Sequence, residues 1–246
     1  MKKVLITGAN KGIGFATAKL LLQKGYYVYL GSRNIRNGAT AVEKLKAEGL
    51  TNVECIQIDV TDNNSVKTAC EEIGKNTDIL DILINNAGIN GGNNPYNALE
   101  AKPEEFQAAF DVNVIGTSRV TNAFIKLLKK SEEPRIVNLS TSVGSLALQS
   151  DPNWPAYNSA KYAVYAASKA ALNMYTIHLA YELRDTNFKV NAVCPGLTAT
   201  DFTFGNGGEA ETAARRVVKY ATIDQNGPTG KFFSEETNPE TEEIDW

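Results

Sequence analysis

Short apolar runs rich in β-branched residues alternate with stretches of helical spacing along the chain, and that alternation leaves few folds open. "KKVLITG" reads as a strand, and "IGFATAKLLLQKG" after it as a helix ended by Gly25. "YYVYLGS" is a second strand, followed by the helix "NGATAVEKLKAEG", ended by Gly49. "NVECIQIDV" is a third strand, and Asp62 caps the helix "DNNSVKTACEEIGK". "DILINNAG" is a fourth strand, followed by one long helix, "KPEEFQAAFDVNVIGTSRVTNAFIKLLKK", with Pro103 near its start. "RIVNLST" is a fifth strand, "YAASKAALNMYTIHLAYELRD" a second long helix, and "FKVNAVCPG" and "GKFFS" the last two strands. Strands alternating with helices predict a parallel sheet covered on both faces. No repeat, low-complexity block or linker divides the chain, so residues 1–246 are expected to form a single doubly wound α/β domain of about seven strands.

Composition excludes several classes. A net charge of −3 offers no basic footprint for nucleic acid. No apolar run approaches the roughly 20 residues of a membrane span, and the apolar stretch of "MKKVLITGAN" is too short for a signal peptide. Cys55, Cys70 and Cys194 are far apart and lack metal-ligand spacing, so no metal site is expected. They read as buried free thiols of a cytoplasmic protein. The tail "SEETNPETEEIDW" carries six acidic residues and reads as a solvated edge. His178, mid-helix in "MYTIHLA", reads as a packed core or interface residue.

The first strand runs into "TGANKGIG". Gly8, Gly12 and Gly14 fall where strand becomes helix, the place where glycines allow a tight turn and the approach of a pyrophosphate to a helix N-terminus. This predicts a dinucleotide site on a Rossmann-type domain, with Ile13 in the turn and room for Asn10 and Lys11 to reach phosphate or ribose. At the end of strand two, where an NAD-preferring enzyme usually carries an acid, the chain has Gly31, Ser32 and Arg33. Arg33 and Lys11 put two positive charges near a 2′-phosphate, so NADP(H) is favoured and NAD(H) is the alternative. Arg33 stacked on the adenine would serve both cofactors. "IDV" places Asp59 and Val60 at the adenine edge, and "NNAG" brings Asn86, Ala87 and Gly88 to the strand ends where ligands sit.

Residues 157–169, "YNSAKYAVYAASK", contain a tyrosine four residues before a lysine twice, Tyr157 with Lys161 and Tyr165 with Lys169. On a helix such pairs share a face. An ammonium beside a phenol stabilises the phenolate and is expected to lower the tyrosine pKa from about 10.

"TGANKGIG", "NNAG", "VNLST", "YAASK" and "NAVCPG" together resemble the short-chain dehydrogenase/reductase family in its single-domain form, of the bacterial carbonyl reductase or ketoreductase type. The match is colinear over residues 4 to about 201. The resemblance implies an NAD(P)H-dependent reductase of ketones or aldehydes, with Tyr165 as general acid and Lys169 beside it. The residues after Lys169 and the spacing from Tyr165 to Pro195 select this pair. Tyr157 and Lys161 then belong to an inserted segment, "LALQSDPNWPAYNSAKYAV", where Trp154 and Tyr157 line or cover a pocket or merely pack. The resemblance implies that Asn113 holds a water linking the lysine to solvent, and that Pro195, Gly196, Leu197 and Thr198 close on the nicotinamide. Thr200 and Asp201 match the family's Thr-Asp after that loop. The hydroxyl that polarises the carbonyl falls on Thr141 or on Ser142, because the family's usual second serine is Thr141 here. The alternative reading is a dinucleotide-sensing regulator without catalysis. Leu146, Trp154, Leu197, Phe202 and Phe204 suggest an apolar pocket for a small-molecule carbonyl substrate. Dimers or tetramers are expected through the two long helices, or a monomer if the insertion before Tyr165 blocks that face.

Overall fold

The computed structural model of the protein describes residues 1–91 and 97–246. Seven strands form one sheet: β1 (Lys3–Ile6), β2 (Tyr27–Ser32), β3 (Val53–Gln57), β4 (Ile82–Asn85), β5 (Arg135–Leu139), β6 (Lys189–Val193) and β7 (Phe232–Phe233). Their order is β3-β2-β1-β4-β5-β6-β7, and every neighbouring pair is parallel. The order reverses between β1 and β4, and the crevice beyond the strand ends at such a switch is where α/β sheets bind ligands.

The side-chain period of two sends alternate residues of each strand to opposite faces. Val4 and Ile6 of β1 join one core with Leu30, Ile84 and Val137, while Leu5 joins the other with Ile56, Leu83 and Ile136. The first core is closed by α1 (Gly12–Gln23), α2 (Ile35–Ala47) and α8 (Ala210–Ala221). The second is closed by α3 (Asn63–Asn76), α5 (Thr117–Leu128) and α7 (Ala163–Glu182). Asp62 caps α3 as expected, its carboxylate accepting from the amides of Asn64 at 2.7 Å and Ser65 at 3.0 Å.

Several local expectations are corrected. The long helix is helical throughout but not uniform. Between α4 (Pro103–Phe110) and α5, residues Asp111–Gly116 form a wide π-type turn, a deviation that recurs at functional sites. It turns Asn113 fully inward. The inserted segment contains the short α6 (Leu146–Ser150), an irregular stretch of turns over residues 151–162, and then the first two residues of α7. Tyr157 and Lys161 are therefore not on the helix that carries Tyr165. Helix α8 has no counterpart in the sequence reading, although its buried Ala213, Ala214, Val217, Val218 and Ala221 follow helical spacing.

The acidic tail is not merely solvated. Ile244 is buried and the Trp246 ring stacks on Phe232 at 5.4 Å. Glu242 takes bonds from Lys219 and from the Tyr220 hydroxyl, and Glu243 pairs with Lys231. Its carboxylates find partners while its apolar residues extend the core. Cys194 is buried, but Cys55, on the edge strand β3, and Cys70, on α3, are only partly so; all three are free thiols. His178 lies on the outer face of α7, exposed between Met174 and Tyr181, so it is not a core residue.

Candidate active site

The glycine turn is stitched to the end of β4. Thr7, fully buried at the end of β1, accepts through its hydroxyl from the amides of Asn86 at 3.1 Å and Ala87 at 3.0 Å. The Asn86 side chain donates back to the carbonyls of Thr7 at 2.8 Å and Gly8 at 3.0 Å. Asn86 thus shapes the turn rather than reaching outward. A Cβ on Gly14 would lie 2.5 Å from Asn86 Nδ2 and 2.8 Å from the Gly8 carbonyl, so only glycine lets α1 start this close to the turn. Gly8, Gly12 and Ile13 follow the same turn, with Asn10 partly exposed at its tip. The residues present fit a dinucleotide: a backbone cradle without side chains, at the N-terminus of a helix, at the switch point of the sheet.

Around that cradle the expected residues fall at strand ends. Asp59, after β3, accepts from the Thr61 amide and hydroxyl at 2.9 and 2.7 Å, and Val60 is buried beside it. Arg33 is exposed after β2. With Asn34, Ile35, Arg36 and Gln57 it lines an open cavity of about 340 Å³, so a second guanidinium, which the sequence reading passed over, faces the same space. Lys11 does not join them. Its ammonium pairs with Asp201 at 2.7 Å, and both groups are largely exposed. The glycine turn therefore meets the loop after β6, where Thr200 also lies against Gly12.

The first two turns of α7 carry Tyr165 and Lys169 on one face, with Lys169 Nζ 5.7 Å from the centre of the Tyr165 ring. Ser168 between them accepts from Asn113 Nδ2 at 2.9 Å and donates to the Tyr165 carbonyl at 2.8 Å. The rest of the Asn113 amide is taken by Ile89, whose N–H donates to it and whose carbonyl accepts from it, each at 2.9 Å. Its side chain is thus fully engaged in tying the π turn to α7 and to the loop that follows β4. Gly88 fits between Asn113 and Lys169: a Cβ there would lie 3.2 Å from Asn113 Oδ1 and 3.7 Å from Lys169 Nζ.

Lys169 is buried and donates to the Leu139 carbonyl at the end of β5, 2.6 Å away. Burial pushes its ammonium down to about 8, an effect that a negative charge on Cys194 would partly oppose. The Tyr165 phenol is pushed up, not down, first by burial and then by the neighbouring Cys194. The expected lowering fails because the ammonium points at a carbonyl oxygen rather than at the phenol. Phe202, from the loop after β6, sits against the Tyr165 ring at 5.3 Å. Tyr157 and Lys161 form a different pair, the ammonium lying over the ring at 3.7 Å and donating to the Gln149 carbonyl at 2.8 Å.

The hydroxyl candidates follow β5. Ser140 is buried and donates to Asn173 at 2.6 Å. Thr141 caps the turn Ser142–Gly144, its oxygen accepting from the Val143 amide at 3.3 Å. Ser142 Oγ lies 4.0 Å from Cys194 Sγ. Cys194 is followed by Pro195 and by the Gly196–Leu197–Thr198 turn, in which the Thr198 hydroxyl donates to the Gly196 carbonyl at 3.0 Å. Asn113, Thr141, Ser142, Tyr165 and Lys169 are thus gathered at one end of the sheet beside the glycine turn. Thr7 and Ser168 join them without having been singled out, although each lies inside a quoted motif, and Cys194, read from the sequence only as a buried thiol, joins them as well. Among the described residues no cluster of metal-ligating side chains occurs, and no helix is long and apolar enough to cross a membrane.

Known proteins resemble this chain along most of its length. The family described as short chain dehydrogenase matches residues 2–207. Salutaridine reductase of Papaver bracteatum is 32% identical, with 95% of this chain and 94% of that protein covered. (-)-Isopiperitenone reductase of Mentha piperita is 35% identical, with 93% and 95% covered. The solved structure of salutaridine reductase from Papaver somniferum superimposes with a TM-score of 0.82 at 31% identity, covering 95% of this chain and 100% of that one.

Proposed function

The chain belongs to the short-chain dehydrogenase family of NAD(P)(H)-dependent oxidoreductases, and from that premise we propose that it is a carbonyl reductase converting a ketone or aldehyde to an alcohol. The observation that carries this reading is the pairing of Tyr165 with Lys169 on one face of α7, close to the glycine-turn neighbour Gly88, with Lys169 bonded to the end of β5 two residues before Thr141. When bound, the dinucleotide supplies the hydride for the carbonyl carbon.

The chain's own residues handle the oxygen and its proton. Thr141 polarises the carbonyl. Its oxygen already accepts from Val143, which leaves its proton free to donate outward as negative charge grows. Ser142, with a thiol as its neighbour, is the weaker candidate. Tyr165 gives its proton to the developing alkoxide as general acid. Lys169, still charged at neutral pH and 5.7 Å from the centre of the Tyr165 ring, is the positive charge proposed to turn from the Leu139 carbonyl toward the phenolate left behind and to hold ribose hydroxyls. Asn113 positions α7 through Ser168, and its backbone side is where a water relay to Lys169 is proposed.

Arg33, backed by Arg36 across the shared cavity, reads a 2′-phosphate and favours NADP(H). Exposed Leu197, Phe202 and Phe204, in the stretch after β6 that brings Phe202 against the Tyr165 ring, suit an apolar ketone rather than a charged one. The test is a panel of aryl, cyclic and acyl ketones assayed with NADPH and NADH in parallel. No consumption of either cofactor with any ketone would overturn the assignment.

A further inference from the structure

The turn Pro195–Thr198 is gripped from outside by two residues far away in sequence. Glu236, three residues past β7, accepts from the Leu197 amide through its carboxylate at 2.9 Å. Arg216, on α8, donates to the Pro195 carbonyl at 2.8 Å. The two side chains face one another, Arg216 Nη1 lying 3.9 Å from Glu236, and Glu235 adds a second carboxylate 3.6 Å from Arg216 Nε. Arg216 is largely covered, at 17% side-chain exposure, so its charge is held in one place. Gly196, with φ +83°, lies directly on the pair. A Cβ there would overlap both Arg216 Nη1 and Glu236 Oε2.

We propose that Glu236 and Arg216 are positioning residues that fix the Pro195–Leu197 turn for the nicotinamide end of the cofactor. The inference rests on the dinucleotide reading above. Each donates to or accepts from a different backbone group of the turn, and their mutual attraction keeps both bonds in register. Without Glu236 the Leu197 amide loses its partner and Arg216 loses a counter-charge. The turn then samples other conformations, and ordering it again on binding weakens affinity for the nicotinamide half alone.

Binding of NADPH and of 2′-phospho-ADP-ribose, which lacks the nicotinamide, distinguishes this role from general loosening. Glu236→Ala is expected to weaken NADPH binding about tenfold, the size of one net hydrogen bond. It should leave 2′-phospho-ADP-ribose within about twofold. The KM for NADPH should rise, with kcat largely regained at saturation. Glu236→Gln, which keeps an acceptor for Leu197 and changes little in volume, should restore most of the affinity. Equal weakening of both ligands, or none of either, would overturn the proposal. A wild-type chain that binds neither ligand removes the dinucleotide reading itself, and the positioning role with it.

Discussion

Lys169 is held in the folded protein at a cost, and replacing it should make that cost visible. The residue is 4% exposed and its pKa falls from 10.5 to about 8 on burial. At about 1.36 kcal/mol per decade, that drop is worth about 3 kcal/mol of destabilisation while the group is charged. Below pH 8 both folded and unfolded chains carry the proton, so the full penalty applies. Between about 8 and 10.5 the folded chain releases it first, and the penalty declines as pH rises. Lys169→Met removes the charge but leaves the Leu139 carbonyl without its donor, which costs about 1 kcal/mol. The variant should therefore be more stable than the parent by about 2 kcal/mol at pH 7, or about 4–8 °C in Tm for a chain of this size. By pH 9.5 about half of the charge penalty is relieved, and the advantage should shrink accordingly. Thermal and urea unfolding without cofactor at the two pH values measure this, alongside an activity assay in which the variant should be inactive. A variant less stable than the parent at pH 7, or a gain that does not change with pH, would refute the reasoning.

Tyr165→Phe should abolish reduction while leaving cofactor affinity nearly intact, and Tyr157→Phe should keep most of the activity; a dead Tyr157→Phe variant would reassign the general acid. Thr141→Ala should lose on the order of 10²-fold in kcat, as for removal of an oxyanion donor, and Ser142→Ala should lose less; steady-state kinetics showing the reverse order would move the role to Ser142. NADPH should be preferred over NADH by about tenfold, the low end for a charge-assisted pair because Arg33 is exposed. Arg33→Ala should erase most of that difference in kcat/KM, and an unchanged ratio would show that Arg33 does not read the phosphate.

The sheet was legible because a parallel strand has little choice: buried on both faces, it must be apolar throughout, as Val4, Leu5 and Ile6 are. The helix ends at Gly25 and Gly49 and the cap at Asp62 were equally local signals. What escaped depended on distant partners. The π turn at Asn113 exists because its amide bonds to Ile89 and Ser168, and nothing in the local spacing of "DVNVIGT" marks an extra residue in a turn. The tail looked solvated because its acids were counted without Lys219, Tyr220 and Lys231, which it meets only after folding. Glu236 was hidden for the same reason, one acid among six with no local sign that it reaches the Leu197 amide.

The opposite pKa movements of Tyr165 and Lys169 bear on the direction of the reaction. Spacing alone says that the two share a helix face, and from that a lowered phenol follows only if the ammonium points at it. Here the ammonium points at Leu139, and burial acts on both groups, each being driven toward its neutral form. A neutral phenol is the protonated one, which is what a general acid must be before it meets a ketone. Oxidation of an alcohol needs the phenolate instead, and burial opposes it until a positive charge is brought close. On the proposed mechanism the site therefore starts, at neutral pH, in the protonation state that reduction needs. As pH rises through about 8 the lysine loses its charge, and with it the means to stabilise the phenolate that proton transfer leaves behind. On the proposed mechanism, proton donation by Tyr165 should weaken on that side of the profile well before the phenol itself titrates, and a kcat profile that stays flat as pH rises through about 8 would show that Lys169 does not set the alkaline limit.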